Sequence, residues 1–151
     1  LDYVPELFAR MGTSPGAMEA VASVGEHVRF HSVFSDVLRE MVICTVSQEV
    51  GNWYEWCHHI HRMPEDMQAI CGTPAAEDLS APIGPALKFS RMVANNEAVD
   101  DSLIEEIRES LGDQGVVDLT VMVGYYQLIG TFCRTLQVPI EDNMNRAPMK
   151  K

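Results

Sequence analysis

Positively charged side chains are scarce in this sequence. Its 151 residues include 11 lysines and arginines against 22 aspartates and glutamates, which gives a formal net charge of −11. A protein that binds nucleic acid or an anionic lipid surface needs a cationic surface that attracts phosphate groups. The charge balance therefore argues against a nucleic-acid partner and against docking on a membrane.

Closely spaced cysteine pairs are also missing. None of the four cysteines forms a Cys-x-x-Cys motif, and each lies in an apolar, helix-like context: Cys44, Cys57, Cys71 and Cys133. This usage is typical of reduced thiols in a reducing compartment. The opening residues, LDYVPELFARMG, lack the basic-then-apolar layout of a signal peptide. We therefore expect a cytoplasmic protein.

Alternation of apolar and polar residues, the signature of β-strands, is absent, and the periodicity is helical almost throughout. The pattern predicts an all-α fold, a bundle of about seven helices in a single domain over residues 1–137. Prolines and glycines, Gly112 among them, mark the helix ends, and they indicate a loop with at most one short turn over residues 73–85. Residues 138–151 are expected to form a polar, loosely ordered tail.

One apolar run, residues 116–132, is about as long as a bilayer span. Asp118 and Gln127 interrupt it, and its surroundings have helical periodicity, so we interpret it as a buried helix. A helix that is apolar on most of its circumference requires burial on all sides. In a small domain part of that burial comes from another subunit, so we predict an obligate homo-oligomer.

The stretch NWYEWCHHIHRMP, residues 52–64, concentrates both tryptophans and three of the five histidines. Glu55 and His59 are four residues apart and share one face of a helix. A carboxylate beside an imidazole is suited to acid–base chemistry near neutral pH. Glu40 lies in the apolar stripe of the preceding helix, where a buried carboxylate needs a partner such as this histidine.

Residues 38–63, LREMVICTVSQEVGNWYEWCHHIHRM, resemble the helical hairpin of the carboxymuconolactone decarboxylase and alkylhydroperoxidase-D-like family. Residues 54–59 match the Tyr-Glu-Trp-x-x-His motif of the branch that lacks the redox cysteine pair. Asn52 and Glu55 stand at the two redox cysteine positions, and Glu40 stands where the family has a glutamate on the preceding helix. Residues 116–142 resemble the family's closing helix, including its Tyr-Tyr pair and its VPIED exit.

The resemblance implies a helical enzyme, a trimer or hexamer, that performs cofactor-independent proton transfer on a small organic acid or lactone. It assigns His59 as the general acid–base, with Glu40 and Glu55 orienting it or relaying its proton. Tyr54 would donate a hydrogen bond to negative charge that develops on the substrate. Neither a cofactor nor a metal is expected.

Other interpretations stay open at this point. The chain could be a non-catalytic oligomeric scaffold of the same fold, in which Glu55 and His59 only order the helix. It could be a thiol peroxidase that uses Cys57 with a partner thiol. A metal site is a minor alternative, because helical zinc pairs are usually four residues apart, whereas His58 and His61 are three apart.

Overall fold

The computed structural model describes residues 4–150, and within that range the chain is all-helical and contains no β-strand. The all-α prediction is confirmed. A π-helical turn, His27–His31, extends the second helix, and a 3-10 turn, Ile60–Arg62, extends the fourth. The eight α-helices are α1 (Glu6–Met11), α2 (Pro15–Glu26), α3 (Asp36–Glu49), α4 (Trp53–His59), α5 (Glu65–Ile70), α6 (Pro74–Glu77), α7 (Ile83–Ala94) and α8 (Asp101–Thr135).

Helix α3 is the centre of the fold. It packs against α4, α7 and α8, and it begins where the Ser35 side chain accepts a hydrogen bond from the Leu38 amide, an ordinary N-cap. Every residue from Glu40 to Ser47 is buried. The helix that is covered on all sides is therefore α3, which the sequence pattern did not single out.

Helix α8 is covered on one side only. Val117, Val121 and Leu128 are exposed on it, while the opposite face packs on α3 and α7. By length and composition alone α8 is able to cross a membrane, but a core helix passes the same test, and half of its most apolar window is buried. Gly112 adopts a positive φ of 72° and breaks α8, as its helix-ending position in the sequence predicts.

Gly84, in the first turn of α7, lies against the backbone that follows α6. A β-carbon at this position would approach the Glu77 carbonyl oxygen to 2.7 Å and the Leu79 carbonyl oxygen more closely still. Because these are backbone atoms, Gly84→Ala is expected to lower the free energy of unfolding by about 1–3 kcal/mol, measured by urea denaturation. Gly16→Ala is the control, since nothing lies within 4 Å of a β-carbon there. Equal stability of the two variants would contradict the prediction.

The C-terminal segment, residues 138–150, contains no helix but is tied to the rest of the fold. The Trp53 indole donates to the Ala147 carbonyl at 3.0 Å, and the Lys150 amide donates to the Gln48 side chain at 3.0 Å. The Glu6 amide donates to the Glu141 carboxylate at 3.0 Å. These contacts connect the C-terminal segment to residues far from it in the sequence.

Candidate functional site

Helices α3 and α4 form a hairpin that brings the predicted acid–base residues together. Gly51 adopts a positive φ of 69° in the turn between them, a conformation that glycine reaches at little cost. Asn52 then caps α4, and its side-chain oxygen accepts a hydrogen bond from the Glu55 amide at 3.3 Å. The hairpin places Glu40 on α3 beside His59 at the end of α4.

The centre of the site is the cluster of Glu40, His59 and Glu55. Nδ1 of His59 donates to Oε2 of Glu40 at 2.6 Å, and Nε2 of His59 lies 3.1 Å from Oε2 of Glu55. Each of the three residues is 6% exposed. The imidazole is therefore held between two carboxylates in the protein interior, one from each helix of the hairpin. We call this arrangement the Glu40–His59–Glu55 cluster.

Two further side chains surround the cluster. Nε of Arg39 lies 3.7 Å from Oε1 of Glu40 and supplies a second positive charge. The ring of Tyr126, on α8, meets the His59 imidazole edge-on, with 5.9 Å between centroids. Two carboxylates thus face an imidazole and a guanidinium, which compensates the cost of burying their charge.

Burial and ion pairing act in opposite directions on the titration of this cluster. Burial alone would lower the pKa of His59, but the hydrogen bond to Glu40 and the neighbouring Glu55 outweigh it and raise that pKa above its ordinary 6.5. Burial likewise opposes ionisation of Glu40, but His59, Arg62 and Arg39 together lower the pKa of this carboxyl below 4.5. Both shifts favour the charged forms of His59 and Glu40, which is the ion pair between them.

These shifts predict how the cluster contributes to stability as the pH changes. The contribution of His59 is complete below 6.5 and is lost as the pH rises through its raised folded-state pKa. The contribution of Glu40 is complete above 4.5 and is lost as the pH falls through its lowered folded-state pKa. The pair therefore stabilises the fold most strongly between these two values.

An NMR titration of the His59 ring measures this coupling directly. We expect a pKa above 6.5 in the unmodified protein, and a lower pKa in Glu40→Gln, where a neutral amide replaces the carboxylate. Glu19→Gln, an exposed change on α2, is the control and should leave the pKa of His59 as it was. A His59 pKa that Glu40→Gln does not lower would contradict the ion pair.

Tyr54 does not join the cluster through its hydroxyl. That group donates to Oε1 of Glu141 at 2.9 Å and accepts from the Leu7 amide at 3.4 Å. Oε2 of Glu141 lies 3.1 Å from Nε2 of His58, without the alignment of a hydrogen bond. Burial, followed by the hydrogen bond to Glu141, raises the pKa of Tyr54 well above its ordinary value. Tyr54, Glu141 and His58 thus form a second polar cluster, on a different face of α4.

The thiol and metal alternatives find little geometric support. Cys57 is fully buried, and burial raises the pKa of its thiol, which disfavours the reactive thiolate. All four cysteines are free and buried. His58 faces Glu141, whereas His61 is exposed. Among residues 4–150, no group of three or more histidine, cysteine, aspartate or glutamate side chains is arranged to hold a metal ion.

Of the cavities on the described part of the surface, three have a known lining, and none of these three is lined by Glu40, Glu55 or His59. One of about 360 Å³ lies at the start of α4 and is lined by Asn52 and Tyr54, with residues from α8 and the C-terminal segment. Asn52 is the link between this cavity and the cluster, because it also caps the helix through the Glu55 amide.

Three residues at or near the site were not predicted: Asn52 as a cavity residue, Tyr126 and Glu141. The only available signals were the Tyr-Tyr pair on the closing helix and the acidic VPIED segment, and neither indicates which side chain it meets. No family model, no curated protein and no solved structure matches the chain.

Proposed function

We propose that this chain is an enzyme resembling the carboxymuconolactone decarboxylases, which performs cofactor-independent proton transfer on a small organic acid or lactone. The observation that carries the proposal is the 2.6 Å contact between Nδ1 of His59 and Oε2 of Glu40, two buried residues on adjacent helices. A histidine held this way by a carboxylate has a fixed orientation and a raised basicity, which general acid–base catalysis requires.

In this proposal the imidazole and Glu55 act as one acid–base unit. A proton moves between Nε2 of His59 and Oε2 of Glu55 across 3.1 Å, so that the pair is either both charged or both neutral. In a decarboxylation, the electrons of the breaking C–C bond remain on the substrate as an enolate when CO2 leaves. The unit then delivers one proton to the carbon of that enolate, and solvent restores the proton.

The proposed active form is a homo-oligomer, a trimer or hexamer, in the cytoplasm. Val117, Val121 and Leu128 are exposed on one face of α8, and a second copy of the chain would cover them. The same helix carries Tyr126, which contacts His59. Contact between subunits through α8 would therefore affect the position of the Tyr126 ring beside the His59 imidazole.

A second candidate function is a non-catalytic oligomeric scaffold. Both ring nitrogens of His59 already face carboxylates, and the cluster is 6% exposed at each of its residues. A closed ion pair of this kind also serves to hold α3 and α4 in register without any substrate.

The two candidates differ in one measurement. The purified protein is incubated in D2O with a panel of carboxylated lactones and β-keto acids, and NMR follows deuterium incorporation and loss of CO2. The enzyme proposal predicts turnover of at least one member, with a pH–rate profile that follows the titration of His59. Absence of exchange and turnover across the panel, from a folded oligomer, would favour the scaffold.

A further inference from the structure

The cavity at the start of α4 has the chemistry of a ligand site of its own. Its volume is about 360 Å³, near the lower end of the range for small-molecule pockets. The N-terminal turn of α4, the last turns of α8 and the C-terminal segment each contribute to its wall. None of the three residues of the Glu40–His59–Glu55 cluster lines it.

A buried amide lies in this wall. Asn52 is 2% exposed, and its oxygen caps α4. Its Nδ2 makes no well-aligned hydrogen bond among the described residues, and apart from the cap its side chain interacts only with the Cys133 thiol, a weak acceptor. Burial, followed by the charge of Glu55, raises the pKa of this thiol to about 12 although the interaction with Asn52 lowers it, so the thiol stays neutral. A buried donor of this kind is costly unless something accepts its hydrogens.

Two guanidinium groups also line the cavity. Arg134 donates to the Val50 carbonyl at 2.8 Å, which fixes its position, and Arg146 comes from the C-terminal segment. Within residues 4–150, neither arginine forms an ion pair with a carboxylate. The carboxylate of Glu141 is nearby in sequence, but it accepts from the Glu6 amide and the Tyr54 hydroxyl. In so acidic a chain, two uncompensated guanidiniums on one cavity indicate an anionic ligand.

The remaining wall is apolar and held in place. The Trp53 indole is 40% exposed, and its Nε1 donates to the Ala147 carbonyl at 3.0 Å, which orients the ring. Val138, Pro139 and Ile140 line the same cavity. A ligand that fills this space therefore needs a compact apolar body next to its negative charge.

We propose that this cavity binds a small monocarboxylate with an aryl or branched aliphatic body. Its carboxylate contacts the two guanidiniums of Arg134 and Arg146 and the side-chain amide of Asn52, and its body packs on Trp53. Charge-assisted pairs between arginine and carboxylate provide the orientation, and the apolar wall selects against small inorganic anions. This site binds a ligand, and the proposal does not depend on whether His59 catalyses a reaction.

Sodium benzoate is the probe, with benzamide as its neutral isostere and inorganic phosphate as an anion without an apolar body. Binding is followed by calorimetry and by the change in tryptophan fluorescence, which we expect from Trp53 because it lines the cavity whereas Trp56 does not. We expect saturable binding of benzoate, roughly tenfold or more tighter than that of benzamide or phosphate. Absence of saturable benzoate binding, or equal affinity for benzamide, overturns the proposal; tighter phosphate binding overturns the apolar part of it.

Three variants test whether benzoate binds in this cavity. The double change Arg134→Gln and Arg146→Gln removes both charges, and Asn52→Asp keeps a capping oxygen but replaces the amide donor with an acceptor. Each is expected to weaken benzoate binding by roughly tenfold or more. Arg146→Gln alone, at an exposed residue outside the helices, retains the test if Arg134 is needed for folding, and we expect it to weaken binding as well.

The controls separate this site from the proposed catalytic cluster. Arg108→Gln removes one positive charge outside the cavity and should leave benzoate affinity unchanged. His59→Gln should also leave it unchanged, even if turnover is lost. Benzoate binding that survives the arginine changes, or that falls equally in Arg108→Gln or His59→Gln, would overturn the assignment to this cavity.

Discussion

Replacing Glu40 with alanine is expected to lower the free energy of unfolding by about 3–5 kcal/mol. The change removes the hydrogen-bonded partner of a protonated imidazole that is itself buried. The remaining imidazole must then either stay charged with one carboxylate partner or lose its proton, and both states cost free energy. Glu40→Gln, which keeps the shape and one acceptor oxygen, should cost less than Glu40→Ala.

Urea denaturation measures this effect, and the pH at which it is done matters. Between 4.5 and 6.5 both members of the pair contribute fully. The difference between wild type and Glu40→Ala should shrink as the pH rises through the raised pKa of His59, because the wild type then loses the same ion pair. Glu19→Ala, at an exposed position on α2, should stay within about 0.5 kcal/mol. If Glu40→Ala lowered the free energy of unfolding no more than Glu19→Ala does, the interaction between Glu40 and His59 would not stabilise the fold.

Replacing His59 with glutamine is expected to lower kcat by about 10²–10⁴-fold on any substrate that the protein turns over. Glutamine retains an amide NH2 that donates a hydrogen bond to a neighbouring carboxylate, but it does not exchange a proton near neutral pH. The loss should fall on kcat rather than on KM, because the imidazole acts on the proton and not on ground-state binding. His61→Gln, at an exposed residue of the adjacent 3-10 turn, should leave both parameters unchanged.

The glutamine variant also places two carboxylates near each other without a cation between them, so its folding must be checked by circular dichroism. If it does not fold, Glu55→Gln gives the same test, since it removes the proton acceptor that lies 3.1 Å from Nε2 of His59. Retention of full kcat in a folded His59→Gln or Glu55→Gln protein would exclude this cluster as the acid–base unit.

Features that depend on local spacing could be predicted from the sequence. The helical class, the break at Gly112 and the shared face of Glu55 and His59 follow from 3.6 residues per turn and from the conformational freedom of glycine. Predicting the pairing of Glu40 with His59 required one further argument. A buried carboxylate in an apolar stripe needs a polar partner, and the short turn between α3 and α4 leaves few residues close enough to be that partner.

Contacts between distant segments could not be predicted this way. Tyr54 was expected to serve the acid–base site, but its hydroxyl binds Glu141, which is 87 residues further along the chain. Which face of α4 Tyr54 contributes to depends on the segments that pack against each face. The C-terminal segment has no periodic sequence pattern from which its packing could be predicted. Helix α3 also proved to be the central element, although α8 has the longer apolar run.

What the sequence by itself determined was the helical class and the pair of groups on one turn of α4, because backbone geometry imposes those relations within a few residues. Only the tertiary structure decided which side chains meet across helices. The buried amide of Asn52 and the guanidiniums of Arg134 and Arg146 share a cavity. Gly130 lets α8 approach the turn before α4, because a β-carbon at this position would meet Val50 at 2.9 Å. The presence of these side chains in one cavity depends on how three separate segments pack together. The periodicity within any one segment does not encode that packing.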